Sequence, residues 1–516
     1  MTATGRVRHA RRALLTIAAA AALASAGLMG AAAAPSSAAT QEPCDIYAAA
    51  DTPCVAAHST TRALYAAYDG PLYQVERASD DTKTDIYPVS AGGVAKAATQ
   101  DSFCSGTYCT ITEIFDQSGH GNNLKDAPAG GADSGPDILA NAAAAPVTVG
   151  GSKVYGVYIS LGMGYRDDST TDIATGDAAE GEYAILDGTH FDNECCFDYG
   201  NAETNNDDDG DGTMEAINFG DETTWGYGTG TGPWIMADLE NGLFSGANAG
   251  YNSGDPTTNH RFTTAMIEGE PDQWAILGGN AQSGTLSTDY SGVRPSGYNP
   301  MKKQGAIILG IGGDNSDNSA GTFYEGVLTS GYPTAATEAA VQANIVAADY
   351  STYTLPSNPF TTGKDISLQA TTACCTGDYL TGDTSGDDVG IESVTSSSSS
   401  TVKADATWIV EPGLANSSCI SFESANGSGD YIRHYNYELY LEPNDGTTQF
   451  ALDATFCPRA GNSGSNYSFM SYNYSAQYIR HYDYVGYIAS DGGANAWDAS
   501  SLWNDDSTWL VASPWS

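Results

Sequence analysis

The chain has 516 residues, of which 41% are hydrophobic and only 16% charged, with 59 glycines. Four of the 20 basic residues and none of the 63 acids fall in the first 40 positions, so the remainder carries a formal charge of −47 against −43 for the whole chain. Such a surface repels nucleic acid and anionic lipid, excludes both as partners, and suits a neutral ligand such as polysaccharide.

The first 40 residues read as a secretory signal peptide. Arg6, Arg8, Arg11 and Arg12 form a basic start, Leu14 to Met29 is apolar and alanine-rich, and Ala31 to Ala39 offers small-residue cleavage sites. Arg11-Arg12 also fits a twin-arginine signal. A retained anchor is the competing reading, and no later segment resembles a membrane span. The expectation is a secreted, extracellular, monomeric protein.

All ten cysteines follow the leader. An even number in an exported chain implies disulfides, and the short spacings suggest five local bridges: Cys44–Cys54, Cys104–Cys109, Cys195–Cys196, Cys374–Cys375 and Cys419–Cys457. The adjacent pair in Asn193-Glu-Cys-Cys-Phe-Asp-Tyr-Gly-Asn201 leaves two readings open. Either each cysteine bridges elsewhere or stays a thiol, or the two close on each other. No C-x-x-C pair or histidine cluster supports zinc, so no metal and no cofactor are expected.

Residues 41–350 read as one large all-β domain, a β-sandwich, with Lys153–Ser160 and Gly305–Ile311 as long strands and only Thr334–Ala348 helical. Asn205-Asn-Asp-Asp-Asp-Gly-Asp-Gly212 looks like a calcium loop, but its twelfth position is Ala216 and Glu215 is one residue short, which favours an acidic surface turn. The nearest approach to a Gly-x-Ser-x-Gly elbow, Gly461-Asn-Ser-Gly-Ser465, fails at its last position.

Two stretches carry candidate chemistry. In Pro233-Trp-Ile-Met-Ala-Asp-Leu-Glu240 a strand places Trp234, Met236, Asp238 and Glu240 on one face, and Asn241-Gly242 signals a type I′ hairpin. Two carboxylates that close raise a pKa unless hydrogen bonds compensate. In Gly310-Ile-Gly-Gly-Asp314-Asn-Ser316 an apolar strand ends in glycines that admit a ligand, with an acid at the exit. Together they supply the nucleophile or base and the proton donor that glycoside hydrolysis needs. The bland alternatives are solvated strand-end acids and an Asp-Asn turn.

Residues 351–364 read as a linker. The segment 365–516 repeats three times: a strand from Ile366, Ile420 or Tyr467; a Tyr-aliphatic step at Tyr379, Tyr431 or Tyr478; and Asp-x-Thr-aromatic from Asp405, Asp453 or Asp506. Three all-β units of about 50 residues are too few for most solenoids and propellers and suit a β-trefoil. Units two and three carry Tyr-Ile-Arg-His-Tyr, at 431–435 and 478–482, whereas unit one has Tyr379-Leu-Thr-Gly-Asp383. A motif kept twice and lost once points to a pocket, not to the core. His434 with Asp453, and His481 with Asp506, can hydrogen-bond one sugar beneath a tyrosine ring.

Beyond this reading, Cys44-Asp-Ile-Tyr47, Thr52–Tyr65, Phe115-Asp-Gln-Ser-Gly-His-Gly-Asn-Asn123, Leu186-Asp-Gly-Thr-His190, Cys195–Glu203 and Tyr324-Glu-Gly-Val327 resemble α-L-arabinofuranosidases of glycoside hydrolase family 54. The tail resembles the arabinose-binding trefoil of carbohydrate-binding module family 42. The resemblance implies a retaining mechanism with Glu240 as nucleophile and Asp314 as acid/base. It places Asp238, Asn241, Gly313 and Trp225 along the sugar site and a Cys195–Cys196 bridge against the arabinose. It also implies a partner, an arabinose-containing plant cell-wall polysaccharide. The Cys374–Cys375 pair in unit one departs from the family. Another glycosidase, such as a β-xylosidase, or a non-catalytic arabinan-binding lectin are the competing functions.

Overall fold

Strand after strand in residues 41–352 is apolar on one or both faces, and the chain satisfies them by stacking two large antiparallel sheets. The computed structural model describes residues 41–383, 388–427 and 429–516; the leader lies outside the described residues. One sheet has nine strands centred on Glu180–Asp187, Phe262–Glu270 and Gly321–Ser330. The other has ten, with Asp198–Ala202, Glu215–Gly220, Trp234–Asp238 and Ala306–Leu309 side by side. Tyr183, Ile185 and Met266 from the first meet Tyr199, Ile217, Ile235 and Ile307 from the second in a single core.

The expected helix forms as Ala335–Ala347, capped by the Thr334 hydroxyl. Two short helices, Pro43–Ala49 and Ala97–Phe103, were not expected. Seven residues are too few to show a helical period against the surrounding strands.

The C-terminal segment forms one sheet system of twelve strands, four per repeat. Each repeat ends in a short helix that runs into its last strand: Ser400–Asp405 into Trp408–Pro412, Thr448–Asp453 into Phe456–Ala460, and Trp503–Asp506 into Trp509–Ala512. The Asp-x-Thr-aromatic signature is this helix-to-strand junction. Trp408, Phe456 and Trp509 are fully buried in a core shared with Leu368, Phe422 and Phe469. The architecture is therefore all-β, a β-sandwich followed by a β-trefoil.

Residues 41–516 form one compact unit. Tyr158 packs on Met470, Tyr472 and Tyr478 of the trefoil, and its hydroxyl donates to the Tyr472 carbonyl at 2.7 Å. Asn141 donates to the Ser475 carbonyl and to the Tyr478 hydroxyl, both at 2.8 Å. The sandwich and trefoil are thus docked through a buried, hydrogen-bonded seam. All five local disulfides are formed, and none of the described cysteines is free.

Candidate active site

The strand Trp234–Asp238 keeps the expected alternation, but both of its faces are buried. Ile235 and Ala237 enter the main core, while Trp234 and Met236 pack with Leu243 and Cys196. The hairpin differs from expectation by one residue. Positive φ falls at Glu240 (65°) and Asn241 (58°), not at Gly242, and Leu239 N–H bonds Gly242 O at 3.2 Å. The turn's two central residues are therefore Glu240-Asn241, and Glu240 sits just past the strand end. A glutamate in the left-handed region is uncommon and costs on the order of 1–3 kcal/mol. The surroundings hold it there: Glu240 N–H donates to Asp238 Oδ1 at 2.9 Å, and the Tyr298 hydroxyl donates to Glu240 O at 2.9 Å.

The loop after Ala306–Leu309 brings the second acid. Gly310 takes φ 83° and Asn315 φ 67°, which folds the chain back so that Gly312 N–H bonds Ser316 O at 3.0 Å. Asn315 is buried and donates to Asp137 Oδ1 at 2.8 Å. Arg166, also buried, ties the loop to the sheet by donating to the carbonyls of Gly313 and Glu203.

These pieces close on one cavity of about 390 Å³ lined by Cys195, Cys196, Trp225, Asp238, Glu240, Asn241, Gly313 and Asp314, together with Asp208 and Asn318. Every sandwich residue singled out from the sequence is on its wall. Cys195 and Cys196 are bonded to each other, and Gly312 lies against the Cys196 sulfur. Trp225 is 41% exposed at the rim, so its ring is free to cover a ligand. Asp208 belongs to the acidic turn 205–212 and accepts from Asn241 Nδ2 at 3.2 Å, which fixes that turn against the cavity. Cys195, Cys196 and Asp238 lie within 4.8 Å of one another, but the sulfurs are consumed by their own bond and leave one carboxylate, not a metal-ligand set.

Beneath the wall lies a group of acids that the sequence did not single out as functional. Glu203 is fully buried, its Oε1 accepts from the Thr213 hydroxyl, and its Oε2 lies against Gly313. Gly313 lets that oxygen and Glu240 Oε2 come together: a Cβ there would stand closer than 3.0 Å to Glu203 Oε2 and 3.0 Å from Glu240 Oε2. Burial pushes Glu240 up to about 10, helped by the charges of Asp238 and Glu203 and by a hydrogen bond to Glu203. Burial likewise raises Glu203, Asp238 and Asp198. Acids packed this tightly cannot all ionise, so Glu203 and Glu240 share protons and titrate as a pair. Glu203 stood in the quoted motif Cys195–Glu203, but no local pattern distinguished it from other strand-end acids.

In the trefoil, His434 and Asp453 line a second cavity of about 400 Å³ with Tyr435, Tyr437 and Tyr474. Asn473 bridges the pair, its Nδ2 donating to Asp453 Oδ1 at 2.9 Å and its Oδ1 accepting from His434 Nε2 at 2.9 Å. In unit three Thr372 takes the same place, its hydroxyl 3.1 Å from His481 Nε2 and donating to Asp506 Oδ1 at 2.7 Å. Asp506, not the adjoining Asp505, faces the histidine. In unit one Gly382 occupies the histidine position, and a Cβ there would lie 2.8 Å from Trp408 and 2.9 Å from Leu441. That position has no room for an imidazole.

Residues 43–351 match the family described as "Alpha-L-arabinofuranosidase B, catalytic", and residues 368–511 the one described as "Alpha-L-arabinofuranosidase B (ABFB) domain". An "Arabinofuranosidase/B-xylosidase" of Trichoderma koningii is 58% identical over 478 residues, covering 91% of this chain and 95% of the relative. An "Alpha-L-arabinofuranosidase" of Hypocrea jecorina matches equally, at 58% over 478 residues with the same coverage. The solved structure of an arabinofuranosidase complexed with arabinofuranosyl-alpha-1,2-xylobiose superimposes with a TM-score of 0.86 at 56% identity, over 92% of this chain and 100% of that one.

Proposed function

This chain belongs to the α-L-arabinofuranosidase B family, glycoside hydrolase family 54 joined to a family 42 carbohydrate-binding module, and from that membership we propose a secreted, retaining enzyme that removes terminal α-L-arabinofuranosyl groups from arabinoxylan and arabinan. It is an α-L-arabinofuranosidase, which sets aside the lectin reading. The observation that carries the finer reading is the single cavity in which Glu240, Asp314, the Cys195–Cys196 bridge and Trp225 converge from four separate segments.

In the proposed chemistry Asp314 delivers a proton to the glycosidic oxygen while Glu240 attacks the anomeric carbon. The leaving group departs with that proton and an arabinosyl ester forms on Glu240. Asp314 then takes a proton from water, the water oxygen displaces Glu240, and the configuration at carbon is retained. Glu240 attacks as the carboxylate, and the charge of neighbouring Glu203 raises the pH at which it becomes one. Asp238 and Asn241 hydrogen-bond sugar hydroxyls, and the disulfide offers a flat apolar surface to the sugar's C–H face. His434 with Asp453, and His481 with Asp506, bind arabinofuranosyl branches. Residues 1–40 serve as the signal peptide, 41–350 as the catalytic domain, 351–364 as the linker and 365–516 as the module. The Trichoderma koningii relative's name supports a β-xylosidase side activity.

Glu240→Gln tests the assignment on an aryl α-L-arabinofuranoside. Loss of about 10⁴-fold or more in kcat is expected for a missing nucleophile, and near-normal turnover would remove Glu240 from that role. Proton NMR of the first-formed sugar reads retention, and an aryl β-xyloside measured alongside reads the side activity.

A further inference from the structure

Between the catalytic cavity and the His434–Asp453 pocket lies a third cavity of about 530 Å³, walled on one side by the sandwich and on the other by the trefoil. Asn193, Glu194 and Asn318 line both it and the catalytic cavity. Gln449 and Tyr474 line both it and the trefoil pocket. The three cavities therefore share walls in series. Resting on the activity proposed above, we propose that this groove is a binding site for the uncharged xylan main chain of arabinoxylan, so that one polymer strand runs from the catalytic pocket to the second-unit trefoil pocket.

The lining has the character such a chain requires. Leu161, which is 45% exposed, Phe191 and Leu452 offer apolar faces to sugar C–H surfaces. Asn193 and Asn318 offer amides that both donate and accept to hydroxyls. No cation stands on this wall, and the strongly acidic surface of the chain disfavours an anionic polymer. The groove is also held open in one shape. Tyr158 OH donates to Tyr472 O at 2.7 Å, and Ser160 and Ser475 hydroxyls meet at 3.0 Å, on the seam at its edge. A preformed groove spends little binding energy on ordering itself. With one arabinofuranosyl branch in the catalytic cavity, a second branch farther along the same strand reaches His434 and Asp453. The second contact is then intramolecular and raises apparent affinity for polymer without changing that for a single sugar.

The test uses the full chain with two variants, Leu161→Arg on the sandwich wall and Thr448→Arg on the trefoil wall. Both residues line the groove, and neither lines the catalytic cavity or the trefoil pocket. KM for soluble arabinoxylan should rise about 5- to 10-fold as the arginine displaces the main chain from the groove that joins the two pockets, with the aryl arabinofuranoside hydrolysed as by the parent. A polymer KM within twofold of the parent in both variants overturns the groove. A rise on branched arabinan with none on arabinoxylan overturns the xylan assignment. If the parent itself does not hydrolyse the aryl arabinofuranoside, the proposed function fails, and calorimetry with unbranched xylo-oligosaccharides still reads the groove. Binding weakened by Leu161→Arg then supports it, and equal binding or none in the parent overturns it. Unchanged melting temperatures establish that the variants are folded, and if one fails to fold the other carries the measurement.

Discussion

Gly313→Ala places one methyl group in the gap that lets two carboxylates meet. Gly313 does not adopt a left-handed φ, so its backbone tolerates a side chain and the effect is steric. The new Cβ would stand closer than 3.0 Å to Glu203 Oε2, and 3.0 Å from both Glu240 Oε2 and Met214 Sδ. The methionine can swing aside. Glu203 cannot, because the Thr213 hydroxyl holds its other oxygen and Arg166 holds its carbonyl. Relief therefore comes from displacing the Glu203–Glu240 pair by roughly 1 Å, and a misplacement of that size costs about 10²-fold in rate, or about 2.7 kcal/mol of barrier. Overpacking adds about 1–3 kcal/mol of lost stability. Steady-state kinetics on an aryl α-L-arabinofuranoside should show kcat falling about 10²-fold. Gly131→Ala is the control: it lies beside the same loop, yet its Cβ meets Asp207 Oδ1 at 3.2 Å and Asp314 Cβ only at 3.7 Å. Equal kcat for Gly313→Ala and the parent, or an equal loss in both variants, would refute the reasoning.

Glu203→Gln keeps the shape and removes the charge that helps raise Glu240, so the acid limb of the kcat/KM–pH profile should move to lower pH; a limb that stays put or moves up contradicts a shared proton. Burial holds Asp192 at about 6, Glu268 at about 7 and Asp255 at about 9 in the folded chain. Each exceeds the unfolded carboxylate value near 4, so the folded state binds more protons over that interval. The stabilisation is complete below about pH 4 and is lost as pH rises through each folded value, at up to about 1.4 kcal/mol per pH unit per group. Buried histidines, led by His190 at about 3, act in the opposite sense below about pH 6.5, so melting temperature should fall from about pH 7 to about pH 9, and a maximum at about pH 9 would contradict this. In the trefoil, arabinose titrated into a catalytically silenced full chain should fill two module sites. His434→Ala should remove the tighter one, because Tyr474 covers that pocket while unit three has Ala373 at the corresponding step. Three module sites, or a tighter unit-three pocket, would go against the geometry.

Much of this protein was written locally. Apolar alternation and glycine-rich turns specified strands, and the fifty-residue repeat specified a trefoil, because each unit must bury one face against its copies. Cysteine spacing suggested the bridges, but whether Cys195 and Cys196 close on each other stayed open until the fold left them bonded. The two catalytic candidates were visible because each combines an acid with a turn or a glycine exit. The rest depended on contacts between distant segments. The turn moved to Glu240-Asn241 because Leu239 pairs with Gly242 once the strand at Leu243–Phe244 docks. Glu203 came to lie beneath the wall of the cavity only when Gly313, 110 residues away, came to rest on it. Unit one lost its pocket because Trp408 and Leu441 fill the space beside Gly382. The groove exists only because the sandwich and the trefoil dock along Tyr158 and Tyr472. Hydrophobic period and turn chemistry act over a few residues and are legible in order. Carboxylate pairing, crowding at a glycine and the meeting of two domain surfaces are set by burial, which the tertiary structure alone decides.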